Sequence, residues 1–506
     1  MASVASASSL TGRIASGPDD LYRAEVLQPQ LDYELRALLP WYVREEKVLL
    51  AEYRRLGLLD GAEVAALAGA LNALDADELI RCAGESMADV AFSLERAVSQ
   101  RLGTVPARWH VDRSRNDLQA GAQMLAGRDA IVEVAEGLLA CGRVALRRAA
   151  ESVNVSMPGY THQQPAQVIS AGFYLSAVSD CIVQTLDRLE AAYAAADRCP
   201  LGAGAMAGQE LDWDRSRMAR LLGCGAVREH ALTAVAGRDW ALTATAEFSL
   251  WGVAVSRFVT DLMTWAGAGY GFVDWPDNWA GISSAMPQKR NFPVLERIRA
   301  RTAHLTAGHL AVVLGQRSTP YSNSVEVSKE AGAQLPATFA AMLSTLRLFT
   351  AVLENVRWHP DRTRAACAAE YLGGFTLANL LTLHADVPWR TAQVLAGQYV
   401  VAASDAGLSP DRPDGDLLTR LAADRGLAVG DAGALLAEAF ALDGALATKR
   451  TSGSTHPDAV RAMLAGQEVH LDRAERWWQQ RRERIAAGLA ELDATLVADE
   501  PPGADR

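Results

Sequence analysis

Apolar side chains recur at three- and four-residue steps through the middle of the chain, which is the spacing of one face of an α-helix. The stretches 166–199, 294–316 and 326–356 have the composition or periodicity of helices, and no strand-like alternation longer than a few residues stands out. The clearest series, within 241–266, is Phe248, Trp251, Val255, Val259 and Leu262. The pattern predicts an all-α protein whose long central helices bury their apolar faces against one another.

Length and changes of character divide the chain into three parts. A chain of 506 residues is too long for one compact core. After about residue 370 the predicted helices become shorter, and a helix is expected to begin at Pro457. The end of the chain, from Leu471, has the pattern of an amphipathic helix followed by an acidic tail. We predict an N-terminal helical domain over 1–117, a central helical bundle over 118–370, and a C-terminal helical domain with an extra tail over 371–506.

Net charge, cysteine content and the absence of long apolar runs limit the kinds of binding partner and cellular compartment to be expected. A net charge of −11 disfavours binding to nucleic acid or an anionic membrane, since both need basic surfaces. The six cysteines form no CxxC pair, which is typical of a reducing, cytoplasmic compartment. The first twenty residues lack the apolar segment of a secretory signal, and no apolar run is long enough to span a membrane.

Three polar stretches interrupt the helical pattern: WHVDRSRNDLQAG at 109–121, MPGYTHQQPAQVIS at 157–170, and GISSAMPQKRNFPVLE at 281–296. Each has a simple structural explanation. The first is typical of a loop of salt bridges and helix caps, the second of a turn before a helix with a surface histidine, and the third of a helix end.

Taken together, the three stretches favour the binding of a small dicarboxylate. Arginine forms paired hydrogen bonds with carboxylates, and amides and hydroxyls add further donors, whereas no glycine-rich phosphate loop is present. His162 supplies an imidazole, the side chain most often used for proton transfer in catalysis. Ser283 could act as a base only if nearby cations and oriented N–H groups stabilised its alkoxide, and Lys289 begins to meet that demand.

These stretches resemble the three signature regions of the argininosuccinate lyase family within the fumarase/aspartase superfamily. The motifs HVDRSRND, MPGYTHQQPAQ and ISSAMPQKRNFP occur in the family's order and at similar spacing. Further similar segments are PLGAGAMAG at 200–208, SRFVTDL at 256–262 and KRTSG at 449–453. The likeness extends over roughly residues 10 to 465 and leaves the last forty residues unexplained.

The resemblance implies a three-domain, mostly helical fold and a homotetramer whose long helices form a shared core, with each active site built from three subunits. It implies that Ser283 takes a proton from the carbon beside a substrate carboxylate. Lys289, Asn291 and the N–H groups of 281–286 would stabilise the resulting aci-carboxylate. His162, oriented by Glu296, would assist the departing nitrogen. Fumarate is the product, and neither a metal nor an organic cofactor is implied.

The resemblance thus assigns roles to individual residues of this chain. The catalytic candidates are Ser283, His162, Lys289 and Glu296. The substrate-binding candidates are Ser114, Arg115, Asn116, Thr161, Gln164, Ser284, Asn291, Tyr321, Glu326 and Lys329.

The departures from the family pattern cluster around the leaving group. Val111 and Asp112 replace a threonine and a glycine, ADVA at 88–91 replaces EDIH, and Glu326 stands where a glutamine belongs. Other differences are Gly237, Thr243 and the segment LQPQLDYEL. Because a site built to hydrogen-bond one partner rejects analogues sharply, these changes together predict a different amine side of the substrate.

We therefore expect a carbon–nitrogen lyase that releases fumarate from an N-substituted aspartate other than argininosuccinate, in a specialised biosynthetic pathway. Three alternatives remain open from the sequence. The chain could be a genuine argininosuccinate lyase, a nitrosuccinate-type lyase that releases nitrite, or a structural paralogue without turnover.

Overall fold

The computed structural model describes residues 17–82 and 89–497 and confirms an all-α fold. The helices are α1 Asp20–Tyr22, α2 Gln28–Arg55, α3 Gly61–Asn72, α4 Ala76–Cys82, α5 Val90–Leu102, α6 Arg115–Glu151, α7 Ala171–Ala196, α8 Arg215–Leu221, α9 Ala231–Ala236, α10 Asp239–Ala266, α11 Pro293–Gln316, α12 Leu335–Asn355, α13 Pro360–Ala369, α14 Gly374–Ala385, α15 Trp389–Asp405, α16 Gly415–Ala423, α17 Ala432–Phe440 and α18 Pro457–Val497. The strands are β1 Ser156–Thr161, β2 Gln164–Ser170, β3 Arg198–Cys199, β4 Ala226–Val227, β5 Val273–Asp274, β6 Gly281–Ile282, β7 Arg290–Asn291 and β8 Arg357–Trp358.

The long helices α6, α7, α10, α11, α12 and α18 pack side by side into one bundle. The apolar series predicted for α10 faces inward, since Phe248, Trp251, Val255, Val259 and Leu262 are all buried in the main core. Close approach of α7 to the end of α6 depends on Gly172, where an added Cβ would lie 2.5 Å from the carbonyl oxygen of Ala149. The bundle is therefore set both by apolar periodicity and by small residues at helix contacts.

The N-terminal helices α2, α3 and α5 pack on one another beside the bundle, and α2 also lies along α6. A capping box at Asp60 and Glu63 starts α3, so the side chain of each residue accepts a hydrogen bond from the other's N–H. This packing places the beginning of α2 against the beginning of α6, where the first polar stretch is located.

Helices α14 to α17 surround a second buried cluster that includes Leu381, Leu395, Tyr399 and Leu436. The last helix, α18, returns to the bundle and packs on α6 and α7, where Trp478 is buried. Its second half belongs to the segment left unexplained by the sequence, and the acidic tail beyond Val497 lies outside the described residues. The domain boundaries at 117 and 370 remain predictions.

The second polar stretch is a β-hairpin, so the expectation of a turn before a helix, with no strand longer than a few residues, was wrong there. Strands β1 and β2 pair antiparallel from Ser156 and Ser170 to Thr161 and Gln164, with an irregularity at Gly159 and Tyr160. The prolines and the irregularity remove the regular alternation that identifies a strand in sequence. The turn also lacks glycine and asparagine, which are the usual signals of a tight hairpin.

The helix expected over 326–356 is interrupted near its start. Glu326–Glu330 form a short π-helical turn, and α12 begins only at Leu335. Glu326–Asn355 is the one described stretch long and apolar enough to cross a membrane, with a mean hydropathy of 1.4. Within it Met342, Leu346 and Phe349 are buried in the main core, and core helices often meet the same criterion.

Candidate active site

The first group of predicted residues lies at the start of α6. Ser114 is the N-cap of this helix and accepts a hydrogen bond from the N–H of Asn116. Arg115 forms a 2.8 Å ion pair with Asp89, and its side chain remains 58% exposed. Asn116 donates to the carbonyl oxygen of Ala205. The capping and salt-bridge network is therefore present, yet Arg115 still presents its guanidinium to solvent.

A buried ion-pair network fixes this loop from below. Arg113 pairs with Glu46, and His110 lies 3.6 Å from the same carboxylate and 3.1 Å from that of Glu95. Burial by itself would raise the pKa of Glu46, but Arg113 and His110 lower it to about 2. The anchored carboxylate holds the loop in one conformation at neutral pH.

Asp112 connects its loop to a neighbouring segment through its carboxylate. Its backbone is left-handed, with φ of 56°, a conformation that aspartate tolerates better than most residues. Its carboxylate accepts hydrogen bonds from the N–H groups of Glu210 and Leu211 and from the indole of Trp213. These bonds lower the pKa of Asp112 although burial acts the other way. The carboxylate of Asp112 therefore ties this loop to the segment 210–213.

The segment 321–330 lies against the same end of α6. Lys329 pairs with the buried Glu34 of α2, which also accepts a 3.1 Å hydrogen bond from Gln119. Gln123 donates to the carbonyl oxygen of Ser328. Tyr321 and Glu326 are exposed beside these contacts, and hydrogen bonds lower the pKa of Glu326. Three more predicted residues therefore join Ser114, Arg115 and Asn116.

A buried arginine ties this segment to the bundle. Arg238 donates to the side chains of Gln123 and Asn323, at 3.0 Å and 3.2 Å, and to the carbonyl oxygens of Val235 and Gly237. Burial lowers its pKa to about 10, so the guanidinium stays charged near neutral pH. It positions the segment that carries Tyr321, Glu326 and Lys329.

The second group of predicted residues lies on exposed turns. Thr161, His162 and Gln164 are exposed at the tip of the β1–β2 hairpin. His162 and Gln163 have φ of 53° and 61°, the left-handed conformations of a tight hairpin turn. Two consecutive left-handed residues other than glycine cost on the order of 1–2 kcal/mol each. Such strain is frequent at functional sites, and here it projects the imidazole from the fold.

The loop between β6 and β7 presents Ser283 and its neighbours. Strands Gly281–Ile282 and Arg290–Asn291 pair antiparallel and hold the two ends of the loop together. Ser283 is half-buried and its hydroxyl oxygen accepts a 3.1 Å hydrogen bond from the N–H of Met286, whereas Ser284 and Lys289 are exposed. Glu296 is exposed in the first turn of α11. The loop thus offers hydroxyls, a cation and N–H groups to a partner outside the subunit's core.

The two groups of residues stand at opposite ends of the bundle. We call them the Arg115 end, with the segment 321–330, and the His162 end, with the loop 281–291. Helix α6 has 37 residues, so its length of about 54 Å separates Arg115 from the hairpin that follows it. Contacts of Tyr160 with Tyr270, and of Tyr174 with Trp265, place the end of α10 and the loop after it near the hairpin.

A single subunit therefore does not bring all the predicted residues together. Ser114, Arg115, Asn116, Tyr321, Glu326 and Lys329 lie at the Arg115 end. Thr161, His162, Gln164, Ser283, Ser284, Lys289, Asn291 and Glu296 lie at the His162 end. In the described ranges 17–82 and 89–497, no three or more His, Cys, Asp or Glu side chains are arranged to hold a metal ion.

Glu34 and Arg238, which hold the segment 321–330 in place, were not predicted from the sequence. Glu34 lies in LQPQLDYEL and Arg238 follows Gly237, both places where the sequence differs from the family pattern. For Glu34 a signal was available in the sequence. A charged residue within an apolar helical face needs a partner when buried, and this applies to Glu34 among Leu31, Leu35 and Leu38.

Comparisons with known proteins place the chain in a family. Residues 68–305 match a family described as Lyase. The chain is 33% identical to argininosuccinate lyase of Thermus thermophilus, over 91% of this chain and 98% of that protein. It is 30% identical to argininosuccinate lyase of Thiobacillus denitrificans, over 90% and 96% respectively.

Solved structures agree on the fold. EDDS lyase in complex with formate superposes with a TM-score of 0.84 at 22% identity, covering 95% of this chain and 96% of that one. The 3-carboxy-cis,cis-muconate lactonizing enzyme of Pseudomonas putida superposes with a TM-score of 0.67 at 17% identity, covering 89% and 100%. Together with the sequence relatives, these similarities show that the chain is a divergent member of the argininosuccinate lyase family, within the fumarase/aspartase superfamily.

Proposed function

We propose that this lyase releases fumarate from an N-substituted aspartate other than argininosuccinate. The observation that carries the proposal is the loop 281–291, which presents Ser283 together with Lys289 and the N–H groups of its own turn. A hydroxyl with these neighbours suits proton removal beside a carboxylate, because the same groups stabilise the anions that form. A protein that only maintained the fold would not need this set.

Side chains of the protein can carry out every proton transfer of the proposed elimination. Ser283, as the alkoxide, takes the proton from the carbon next to a substrate carboxylate, and the electron pair moves into that carboxylate as an aci-carboxylate. Lys289, Asn291 and loop N–H groups stabilise the added charge. The pair then forms the carbon–carbon double bond while the carbon–nitrogen bond breaks. His162, with Glu296, delivers a proton to the departing nitrogen, and fumarate remains.

In this scheme the substrate is held by residues from both ends of the bundle. The exposed guanidinium of Arg115 would exchange its ion pair with Asp89 for a paired contact with a substrate carboxylate. Ser114, Asn116, Thr161, Gln164 and Ser284 add neutral donors. Tyr321, Glu326 and Lys329 would meet the nitrogen side. A structural neighbour, an EDDS lyase variant, has been solved with bound fumarate.

The scheme requires assembly, because in one subunit its residues stand at opposite ends of a bundle whose helix α6 is about 54 Å long. We propose a cytoplasmic homotetramer whose sites each take residues from three subunits. Exposed apolar side chains on neighbouring bundle helices support a shared helical core. They are Leu250 and Val253 of α10 and Leu310 and Leu314 of α11.

Argininosuccinate itself is the second candidate substrate, favoured by the 33% identity with the Thermus thermophilus enzyme along nearly its full length. The test offers purified protein argininosuccinate, several other N-substituted aspartates and nitrosuccinate, and measures fumarate. We expect release from an N-substituted aspartate and none from argininosuccinate. Brisk release from argininosuccinate would favour the second candidate, and nitrite release would favour nitrosuccinate.

Replacing Ser283 tests the assigned base. Ser283→Ala is expected to reduce fumarate release by about a thousandfold or more, since the proton acceptor is lost. Sedimentation should show the same assembly as the wild type, because the side chain is at a loop. Normal turnover by the variant would contradict the assignment, and a wild type inactive on every substrate would favour a structural paralogue.

The residues around the leaving group provide a second test. Val111 and Glu326 are exposed, so Val111→Thr with Glu326→Gln restores the family's side chains without disturbing a core. Ala91 is buried in the first turn of α5, so a histidine there would not fit without movement, and we leave it unchanged. We expect the double variant to gain turnover of argininosuccinate. No gain would show that other rim residues set the specificity.

A further inference from the structure

A large cavity lies beside the Arg115 end, below the rim that carries Lys329. Its volume is about 520 Å³, within the range of small-molecule sites. An apolar cavity of about 150 Å³ accepts a benzene molecule, so this one has room for a substituent well larger than one ring. Much of its wall is apolar and comes from α2, α10, α12 and the segment before α2. Six of these residues are Val26, Pro29, Ala37, Leu38, Trp240 and Phe339.

One face of α6 leads from the predicted carboxylate site into this cavity. Residues on it follow one another at steps of four, four, three and four along the helix, so they form one stripe. The rise per residue separates Arg115 from the cavity wall at Gln123 by about 12 Å. The stripe consists of Arg115, Gln119, Gln123, Ala126 and Ala130, and the last three line the cavity.

The charges in the wall favour a cation. Glu25, Glu34 and Glu330 line the cavity, and Lys329 is the one cationic side chain among its lining residues. Glu34 already accepts hydrogen bonds from Lys329 and Gln119, so the pair is nearly neutral and leaves two further carboxylates. An anionic substituent, such as a second dicarboxylate, would face net negative charge here.

We propose that this cavity holds the nitrogen substituent of the substrate, and that this substituent is bulky and mainly apolar and carries a second cationic nitrogen. The inference rests on the proposed lyase reaction, because it assigns the substrate's aspartate part to Arg115. The substituent then passes Gln119, displaces its hydrogen bond to Glu34, and lies between α2 and α6. Its cationic end meets Glu25 or Glu330, and its apolar body packs on Trp240 and Phe339.

Three synthetic substrates test size and charge separately with the full-length protein. They are N-(aminoethyl)aspartate, N-(para-methylbenzyl)aspartate and N-(para-aminomethylbenzyl)aspartate, and kcat/KM is measured from the absorbance of fumarate. We expect the third to exceed each of the others by roughly tenfold or more, because the first leaves the cavity empty and the second lacks the cation. Equal values, or preference for the small substrate, would overturn the inference and leave the lyase reaction standing.

Substitutions inside and outside the cavity test whether the preference for the large substrate arises there. Ala126→Phe fills the cavity and is expected to remove most of the preference for the large substrate. Ala140→Phe, at an exposed position of the same helix outside the cavity, should keep it. Glu330→Gln should reduce the advantage of the aminomethyl over the methyl compound. A preference unchanged by Ala126→Phe would place the substituent elsewhere.

Binding separates failure of the cavity from failure of the reaction. Calorimetry with the Ser283→Ala variant measures the affinity for N-(para-aminomethylbenzyl)aspartate with and without Ala126→Phe. Binding that Ala126→Phe weakens by about tenfold, with no fumarate from the wild type, would support the cavity and overturn the proposed reaction. Fumarate release from N-(aminoethyl)aspartate, without binding of N-(para-aminomethylbenzyl)aspartate, would support the proposed reaction and overturn the inference about the cavity.

Discussion

Two buried carboxyl groups at the start of α6 show how the environment of a residue decides its charge. Asp117 accepts hydrogen bonds from the N–H groups of Gly202 and Gly204, yet burial raises its pKa to about 7. The neighbouring Glu45 is also buried, and both burial and Asp117 raise its pKa. The motif that carries Arg115 is thus built on acids that resist ionisation.

Stability should consequently fall with rising pH through this group. Unfolded Asp117 ionises near pH 4 and the folded group near pH 7, so folding takes up a proton between these values. The contribution of Asp117 to the free energy of unfolding is complete below about pH 4. It declines by about 1.4 kcal/mol per pH unit until about pH 7. Thermal unfolding of Asp117→Asn at pH 5, 6 and 7 should show a smaller decline than the wild type.

The exposed Asp405→Asn is the matched control and should decline as the wild type does. An Asp117→Asn variant with an unchanged decline would mean that another group, Glu45 being the nearest, accounts for the pH dependence.

At the scale of elements, glycine decides how closely helices approach the hairpin that carries His162. In α7, an added Cβ at Gly172 would lie 2.5 Å from the carbonyl oxygen of Ala149 and 2.7 Å from the backbone of Val153. Neither backbone atom can move without shifting the turn that begins β1. In α3, by contrast, a Cβ at Gly69 would meet nothing within 4 Å.

These two glycines should respond oppositely to alanine. Gly172→Ala is expected to lower the free energy of unfolding by about 1–3 kcal/mol through overpacking. Gly69→Ala should raise it by about 1 kcal/mol, because alanine favours a helix more than glycine does. Denaturant unfolding of both variants measures the difference. A stabilised Gly172→Ala would show that α6 and α7 are not held at this contact.

At the scale of the whole molecule, the length of α6 makes function a property of the assembly. Arg115 and Ser283 stand at opposite ends of the bundle in one subunit, whereas the proposed reaction needs them around one substrate. A variant that lacks either Arg115 or Ser283 should therefore be inactive alone. Each of the two variants keeps the residue that the other has lost.

Mixing the two variants should restore activity. After Arg115→Ala and Ser283→Ala subunits are dissociated and reassembled together, about a quarter of the sites should combine an intact Arg115 with an intact Ser283. Fumarate release should reach about that fraction of the wild type, and reassembly of either variant alone is the control. No recovery in mixed assemblies confirmed by mass spectrometry would mean that both residues act within one subunit.

Local patterns in the sequence determined much of this protein. Apolar spacing gave α10 and its buried face, proline marked the start of α18, and the three polar motifs identified the family. These features depend on residues a few positions apart, and such interactions are encoded in short stretches. The β1–β2 hairpin escaped because its strands contain prolines and an irregularity, and because its turn uses His162 and Gln163 in left-handed conformations.

Only the tertiary structure decided which distant residues meet. Glu34 and Lys329 are 295 positions apart, and their ion pair lies at the edge of a cavity that no local sequence pattern predicts. Similarly, the separation of Arg115 from the loop of Ser283 follows from the length of α6 and the direction in which the chain returns through α7 and α10. The path of the whole chain sets such distances, because burial of apolar faces fixes how the helices pack.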